Sequence, residues 1–340
     1  MTIPVIFYLH STWVTFIMLG KPPSDKMVEP VLKWAGGKRQ ILHEIRACFP
    51  PESDVNAYHE PFFGGGALFF KTGPHAPGSS INDINERLMS FYEVVRDDPK
   101  DLIELLEEFD APESDPDPDR EFSDEEDIDQ YYYQQRELYN RRPRGEDYDK
   151  VEEAALLMYL NRTCYNGLYR ENQSGEFNVP IGRHSEANWV QASRIMEAHR
   201  ALQDVNIECG DFSYVLDYAS EDDLVYFDPP YEPVSRTSSF VEYSSEEFGT
   251  EQQERLCEVA VELNEMGAYV VISNSPPMRE LYEYLDEFQV HDVGAKRHIN
   301  SDSDGRGEVG EIIVTNVPTD NRREKTAYLD QFAKADGGDK

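Results

Sequence analysis

The chain reads as an α/β protein: one sheet with an inserted, mainly helical segment that carries a β-hairpin. Three observations predict it. Short apolar runs stop abruptly at Asp, Gly or Pro, as strands do where they enter a turn. Leu224–Phe227 runs into Asp228-Pro229-Pro230-Tyr231, and Ile81-Asn82-Asp83-Ile84-Asn85 places an acid where a second strand would end. A glycine cluster, Gly64-Gly65-Gly66, stands between one apolar strand pattern and an apolar helix pattern. A length of 340 residues suits one such domain plus an insertion.

The elements follow in order. Residues 1–27 read as an extension or a mis-called start. Their apolar run from Ile3 to Leu19 contains His10, Ser11 and Thr12, is short for a membrane span, and has neither a basic start nor a small-residue cleavage site, so no membrane association is expected. Residues 28–100 carry strand, helix, strand and helix, with Ser90 to Val95 continuing the last helix toward Asp98-Pro99. Residues 101–200 form the insertion, with a helix from Glu152 to Leu160 that spaces Leu156, Leu157 and Leu160 on one side. The Gly- and Asn-rich stretch Asn161–Gly182 reads as a β-hairpin. Residues 201–318 return to the sheet. Strands are expected at Val205–Ile207, Leu224–Phe227, Tyr269–Ile272 and Ile312–Val314, and helices at Glu251–Asn264 and Met278–Leu285. Residues 319–340 look like a polar tail, and no internal repeat is evident.

Charge narrows the setting. Acids outnumber bases 67 to 32, a net charge of −35. That is unlike a nucleic-acid binder, whose phosphate contacts come from a basic face. Either nucleic acid is not the partner, or the acidity solvates the chain in high salt and one face is spared. Charge placement favours the second. Residues 130–200 hold ten Lys/Arg and ten Asp/Glu, whereas 107–129 hold thirteen acids and Arg120 alone. Only 11 of the 32 bases are Lys, which fits a halophilic surface. Pro116, Pro118 and alternating Asp make 107–129 a self-repelling linker without calcium-loop spacing. Cys48, Cys164, Cys209 and Cys257 are dispersed and the eight His show no ligand spacing, so neither a disulfide framework nor a metal site is expected. The expected location is the cytoplasm.

Four motifs carry chemistry. Asp228-Pro229-Pro230-Tyr231 offers a carboxylate, a stiff backbone with a free carbonyl at Pro229, and an aromatic ring. Two acceptors can take both protons of a planar amino group while a methyl group is delivered to its nitrogen. The bland alternative is a strand followed by a rigid turn. The glycines at 64–66 let backbone approach a ligand, but there is no G-x-G-x-x-G, so a dinucleotide site is not supported. Asp83 stands where doubly wound folds hold ribose hydroxyls, although an Asx turn explains it as well. Trp34-Ala35-Gly36-Gly37-Lys38 lacks phosphate-loop spacing, which argues against a nucleotide triphosphatase. Its Trp and Lys could pack on an adenine ring and meet a carboxylate.

Together these blocks resemble the Dam-type, D12-class DNA adenine-N6 methyltransferases. LKWAGGKR at 32–39, EPFFGGGALFF at 60–70, INDIN at 81–85 and DPPY at 228–231 stand in the family's order. A fifth block, 161–182, is similar to its DNA-reading hairpin. The resemblance covers residues 28 to 318. It implies a Rossmann-like S-adenosylmethionine-dependent sheet, with 101–200 as target-recognition domain. Trp34, Lys38, Asp83 and Asp228 match positions that contact S-adenosylmethionine. Phe63, Gly64 and Gly66 match the glycine-rich turn, and Asp211-Phe212 the block bordering the cofactor's adenine. Asp228, Pro229 and Tyr231 match the catalytic pocket. Lys33, Asn166, Leu168, Arg170 and Pro180 match positions that meet DNA. His184 stands where the family pattern has Tyr after Pro-x-Gly-Arg, and the segment Pro233 to Phe248 resembles a loop that closes over the site.

The implied activity is methyl transfer to N6 of a flipped-out adenine in double-stranded DNA, at GATC, by a monomer. A cognate restriction endonuclease is a partner that the resemblance admits, and no metal is implied. Two other classes remain: an RNA or protein amino-group methyltransferase, and a noncatalytic DNA-binding relative. Protein glutamine methylation favours Asn at the first motif position, where this chain has Asp228, and the intact Asp228 and Tyr231 argue against a decayed enzyme.

Overall fold

A computed structural model describes residues 28–323 apart from Arg39, Pro74 and segments 111–130, 184–186, 231–247 and 296–308. Its centre is a seven-stranded sheet in the order β3-β2-β1-β4-β5-β7-β6. The strands are β1 (Tyr58–Glu60), β2 (Ser80–Asp83), β3 (Asn206–Cys209), β4 (Leu224–Phe227), β5 (Tyr269–Asn274), β6 (Gln289–Ala295) and β7 (Val309–Thr315). The first five are parallel, and β7 runs antiparallel between β5 and β6. This is the Rossmann-like α/β sheet expected from the sequence, with an antiparallel edge.

Burial explains that order. Parallel strands are covered on both faces, so they read as unbroken apolar runs. β4, Leu-Val-Tyr-Phe, is buried throughout, and β5 is buried from Val270 to Asn274. β3, at one edge, leaves Asn206 and Cys209 exposed. β6, Gln-Val-His-Asp-Val-Gly-Ala on the opposite edge, is broken by His291-Asp292 and leaves Gln289 and Asp292 exposed, which is why no continuous apolar run announced it.

The helices are α1 (Leu42–Ala47), α2 (Phe69–Thr72), α3 (Glu86–Asp97), α4 (Pro99–Glu107), α5 (Tyr131–Tyr139), α6 (Lys150–Thr163), α7 (Ala192–Ala201), α8 (Val215–Tyr218), α9 (Thr250–Glu265) and α10 (Arg279–Tyr282). Asn85 caps α3 by accepting from the Leu88 amide at 3.0 Å. Pro99 cannot continue that helix, so it opens α4 instead. Asp149 caps α6, accepting from the Val151 and Glu152 amides. Residues 276–282 form a 3-10 turn opened by Pro276-Pro277 and then the single turn of α10, which ends at Tyr282 and is shorter than the expected Met278–Leu285.

One hydrophobic core covers each face of the sheet. The second contains Phe212, Leu256, Val259 and Ile272 and sits under α8, α9 and α10. The first runs without a break from Val31 and Ile45 through α3 to Leu156, Leu160, Phe177 and Val179. The inserted helices therefore share their core with the sheet. α6 is buried from Glu153 to Thr163 because α3, α4 and α5 surround it.

That core contains one charged group of note. Glu153 accepts from Arg87 Nε at 3.1 Å and from Arg142 NH1 at 3.0 Å, and the Arg87 guanidinium lies 3.2 Å from the centroid of the Tyr139 ring. Removing one member of a buried ion pair strands the other. Glu153→Ala is expected to cost about 3–5 kcal/mol of stability, whereas Glu152→Ala, on the exposed side of the same turn, should cost less than about 1 kcal/mol. Thermal denaturation of the two variants checks the contrast.

Candidate active site

The chain leaves β1 toward β2 and β3 on one side, and toward β4 and β5 on the other. The carboxyl ends of β1 and β4 thus meet at the point where the winding reverses, the usual position of a ligand crevice. Glu60, Asp83 and Asp228 all stand at such strand ends.

The loop before α1 has little secondary structure of its own, and residues distant in sequence hold it. Asn161 at the end of α6 accepts from the Lys33 amide at 2.8 Å and donates to the Lys33 carbonyl at 2.7 Å. The Arg162 guanidinium donates to the Val31 carbonyl. Gly167, at φ +65°, packs so closely that a Cβ there would come within 2.4 Å of Lys33 Cδ. The Trp34 ring lies between two segments. A Cβ added at Gly64 would fall 3.0 Å from it and one at Gly65 2.8 Å from the Trp34 Cβ, and the Tyr169 ring stands 4.9 Å away, tilted by 30°.

The glycine-rich turn follows β1. Gly66 takes φ +66° and donates to the Phe63 carbonyl at 2.8 Å, closing a tight turn over the buried Phe63. Gly64 donates its amide to Asp83 Oδ2 at 2.9 Å, and Asn85 donates to Oδ1 at 2.9 Å. Burial raises the Asp83 carboxyl above the ordinary range, and these amides pull it back. Asn82 spans the neighbouring loops, donating to the Pro61 and Gly210 carbonyls at 3.0 Å each. Ile84, directly after Asp83, is 64 % exposed.

At the end of β4, Lys38 Nζ lies 3.2 Å from Asp228 Oδ1 and 3.6 Å from Glu311 Oε2 on β7. Burial pushes the Asp228 carboxyl up to about 6, against the pull of Lys38 and with a further push from Glu311. Glu60 is buried beside it and accepts from the Tyr58 hydroxyl at 2.8 Å. Burial holds Glu60 well above the usual carboxylate range, although the Tyr58 hydrogen bond opposes it. Pro229 is buried and Pro230 exposed. Buried Gln253 of α9 reaches toward the Pro230 carbonyl at 3.5 Å and accepts from Asn274 at 2.8 Å, tying the turn to β5.

The segment after α6 presents polar and apolar groups to solvent. Lys33, Asn166, Leu168 and Arg170 are exposed, and Pro180 is half-buried. Arg170 Nε donates to Asn178 Oδ1 at 2.6 Å, which orients the guanidinium. The expected hairpin starts later than Asn161, because α6 continues to Thr163, and it pairs only through the bridges Cys164–Ile181 and Glu171–Phe177. Side chains supply the rest. Asn140 accepts from the Phe177 amide at 2.8 Å and donates to its carbonyl at 3.0 Å, and Tyr132 donates to the Val179 carbonyl at 2.9 Å.

Trp34, Lys38, Phe63, Gly64, Gly66, Asp83 and Asp228 thus come together around one crevice. Asp211 lies beside β3 and is held by Arg255 through two bonds of 2.7 Å, while Phe212 is buried against Phe62 in the second core. Tyr231, His184 and residues 233–247 lie outside the described residues. Sequence reasoning did not single out Glu60, Ile84, Asn140, Asn161, Tyr165, Glu311 or Arg255 for the site. Ile84 and Tyr165 carried a signal, as large apolar side chains within otherwise polar motifs. Asn140, Asn161, Glu311 and Arg255 act across separations that no local pattern encodes. Among the described residues, no group of three or more His, Cys, Asp or Glu could hold a metal ion, and no helix is long and apolar enough to cross a membrane.

The family model described as D12 class N6 adenine-specific DNA methyltransferase matches residues 34–299. The Type II methyltransferase M.MjaIII of Methanocaldococcus jannaschii is 38 % identical over 296 residues, 85 % of this chain and 99 % of the relative. The Type II methyltransferase M1.LlaDCHI of Lactococcus lactis subsp. cremoris is 39 % identical over 293 residues, 85 % of this chain and 95 % of the relative. The DNA adenine methylase of Escherichia coli K12 is 34 % identical over 289 residues, 84 % of this chain and 95 % of the relative.

Two substitutions probe the construction of the site. Asn161→Ala removes both bonds to the Lys33 backbone and is expected to cost about 1–3 kcal/mol. Gly66→Ala forces a Cβ to within 2.5 Å of the Phe63 ring at φ +66°, and strain with overpacking should cost about 2–4 kcal/mol. Denaturant unfolding measures both.

Proposed function

The chain belongs to the D12 class of N6 adenine-specific DNA methyltransferases, and from that membership we propose S-adenosylmethionine as its methyl donor and GATC in double-stranded DNA as its target. It is an adenine-specific DNA methyltransferase. The donor is carried by Asp83 and Asp228 at the carboxyl ends of β2 and β4 with Lys38 against Asp228, and the target by the likeness of 161–182 to the family's DNA-reading hairpin.

The crevice fits that donor. Lys38 offers an ammonium for a carboxylate. Asp83 is half-buried and oriented by the Gly64 and Asn85 amides, which suits a pair of ribose hydroxyls. Ile84 exposes an apolar side chain next to it, a surface for a purine face. Trp34, Phe63, Gly64 and Gly66 shape the floor, and Asp211-Phe212 border it from β3. When bound, S-adenosylmethionine supplies a methyl carbon activated by its sulfonium.

The protein's own groups do the rest. A target base inside a duplex is out of reach and must leave the stack. Tyr165, half-exposed at the turn after α6, suits the role of a wedge at the vacated step, and Arg170, Leu168, Asn166, Lys33 and Pro180 present the base-reading face. Asp228 and the Pro229 carbonyl accept hydrogen bonds from the two amino N–H groups, and one of those protons is given up to solvent once the nitrogen is methylated. The nitrogen lone pair is thereby released from the ring, and the charge that develops on it is stabilised. Alignment of amino group and methyl carbon contributes much of the rate. In molar salt counterion release offers little, so the neutral reading segment would depend on base contacts, stacking and shape. A working restriction–modification pair would add an endonuclease of the same specificity.

Transfer of label from S-adenosylmethionine to unmethylated plasmid, in about 2–3 M KCl for so acidic a chain, tests the reading. N6-methyladenine with protection from GATC nucleases is expected. Incorporation without protection discards the site, and no incorporation by folded protein discards the substrate. Asp228→Ala should lose about 10²–10³ in kcat, and Arg170→Ala should relax site choice by about 1–3 kcal/mol, read by competition between GATC and altered duplexes. Asp228 must be ionised to accept, and its carboxyl lies at about 6. kcat/KM should therefore be full above that pH and fall as pH drops through it.

A further inference from the structure

Glu311 lies on β7, 83 residues beyond the DPPY motif (Asp228 to Glu311), and no motif reading assigns it a part in the site. Its carboxylate is nonetheless in the crevice. The Lys38 ammonium stands between Asp228 at 3.2 Å and Glu311 at 3.6 Å, with all three side chains largely buried. We propose that Glu311 is a positioning residue for methyl transfer: it anchors Lys38 between the two carboxylates and tunes the charge on Asp228, the acceptor of the hydrogen bond from the substrate amino group. The proposal rests on the reading of Asp228 as that acceptor.

The geometry gives Glu311 two effects of the same sign. Two carboxylates that reach one nitrogen lie within about 7 Å of each other, close enough for like charges to repel strongly in a poorly solvated site. Glu311 also occupies part of the Lys38 ammonium, so less of that cation is given to Asp228. Both effects make Asp228 harder to ionise, and removing the Glu311 charge relieves both. The other groups acting on Asp228 are fixed in the frame. Glu60 and Tyr58 approach from β1 and Tyr226 from β4, and all three are buried. Glu60 is bonded to Tyr58 at 2.8 Å and Tyr226 to Ser273 at 2.9 Å, so neither is displaced by a change at β7.

An arrangement of this kind keeps Lys38 central when the Asp228 charge is engaged by a substrate amino group, because Glu311 remains as its second anchor. Lys38 need not then follow Asp228, and stays available to an incoming carboxylate.

The experiment is the pH dependence of kcat/KM for the full chain, with labelled S-adenosylmethionine and unmethylated plasmid DNA, in the wild type, E311Q, E311A and E311D. The acid limb of kcat/KM reports the free enzyme. Loss of the Glu311 charge in E311Q should move that limb down by about one pH unit. E311A removes the same charge by truncation and should move it in the same direction, which keeps the test open if E311Q does not fold. E311D retains the charge and should keep the limb near its wild-type position. A residue that served only to pack β7 would lower activity without moving the limb. A limb that stays in place in both E311Q and E311A overturns the proposal. A wild type with no acid limb near pH 6 instead overturns the reading of Asp228, and this inference with it.

Discussion

The site depends on the clasp between Asn161 and the backbone of Lys33. One side chain uses its acceptor and its donor on the two polar groups of one residue. The loop it holds carries Trp34 and Lys38, and it precedes the first helix without strand pairing of its own. Fixing it from α6 brings the Lys38 ammonium within 3.2 Å of Asp228 at the end of β4 and packs Trp34 onto the glycine turn. The contact spans 128 residues. It joins the sheet to the insertion, so the two share one core and one crevice.

A second constraint is electrostatic. Three carboxylates, Glu60, Asp228 and Glu311, occupy one poorly solvated corner with a single lysine between two of them. Burial makes Glu60 and Asp228 costly to ionise, and the neighbouring Lys38 ammonium favours charge on Asp228. A fold that minimised this cost would place apolar groups here. Retaining the charges keeps an acceptor for a polar substrate ready in place. Over the whole chain acids also dominate, while the segment from 130 to 200 is balanced.

Small side chains with paired hydrogen bonds do much of the joining. Asn82 connects the loops after β1 and β3, Asn140 holds both polar groups of Phe177, and Asn161 holds Lys33. Each replaces regular secondary structure where the backbone must bend around a site. The segment from 164 to 182 is therefore set by Tyr132 and Asn140 as much as by strand pairing, since its own pairing is limited to two bridges.

The sequence by itself determined the fold class, the strands at Leu224–Phe227 and around Ile81, and the family. Apolar runs ending at Asp or Gly are local signals, and the five ordered blocks carry their chemistry in neighbouring residues. It also placed Asp83, Asp228 and the glycine turn at strand ends, because strand ends and glycine turns can be read within a few positions. It did not show β6, whose edge position removes the apolar run, nor the end of α6, whose helix extends into the block that resembled a hairpin. The partners of those residues were decided by tertiary structure alone. Arg255 on Asp211, Glu311 on Lys38, Tyr169 on Trp34 and Asn161 on Lys33 are all contacts between segments far apart in the chain. Such pairs depend on how strands are ordered in the sheet and on how deeply a helix is buried, and neither leaves a pattern in the residues on either side.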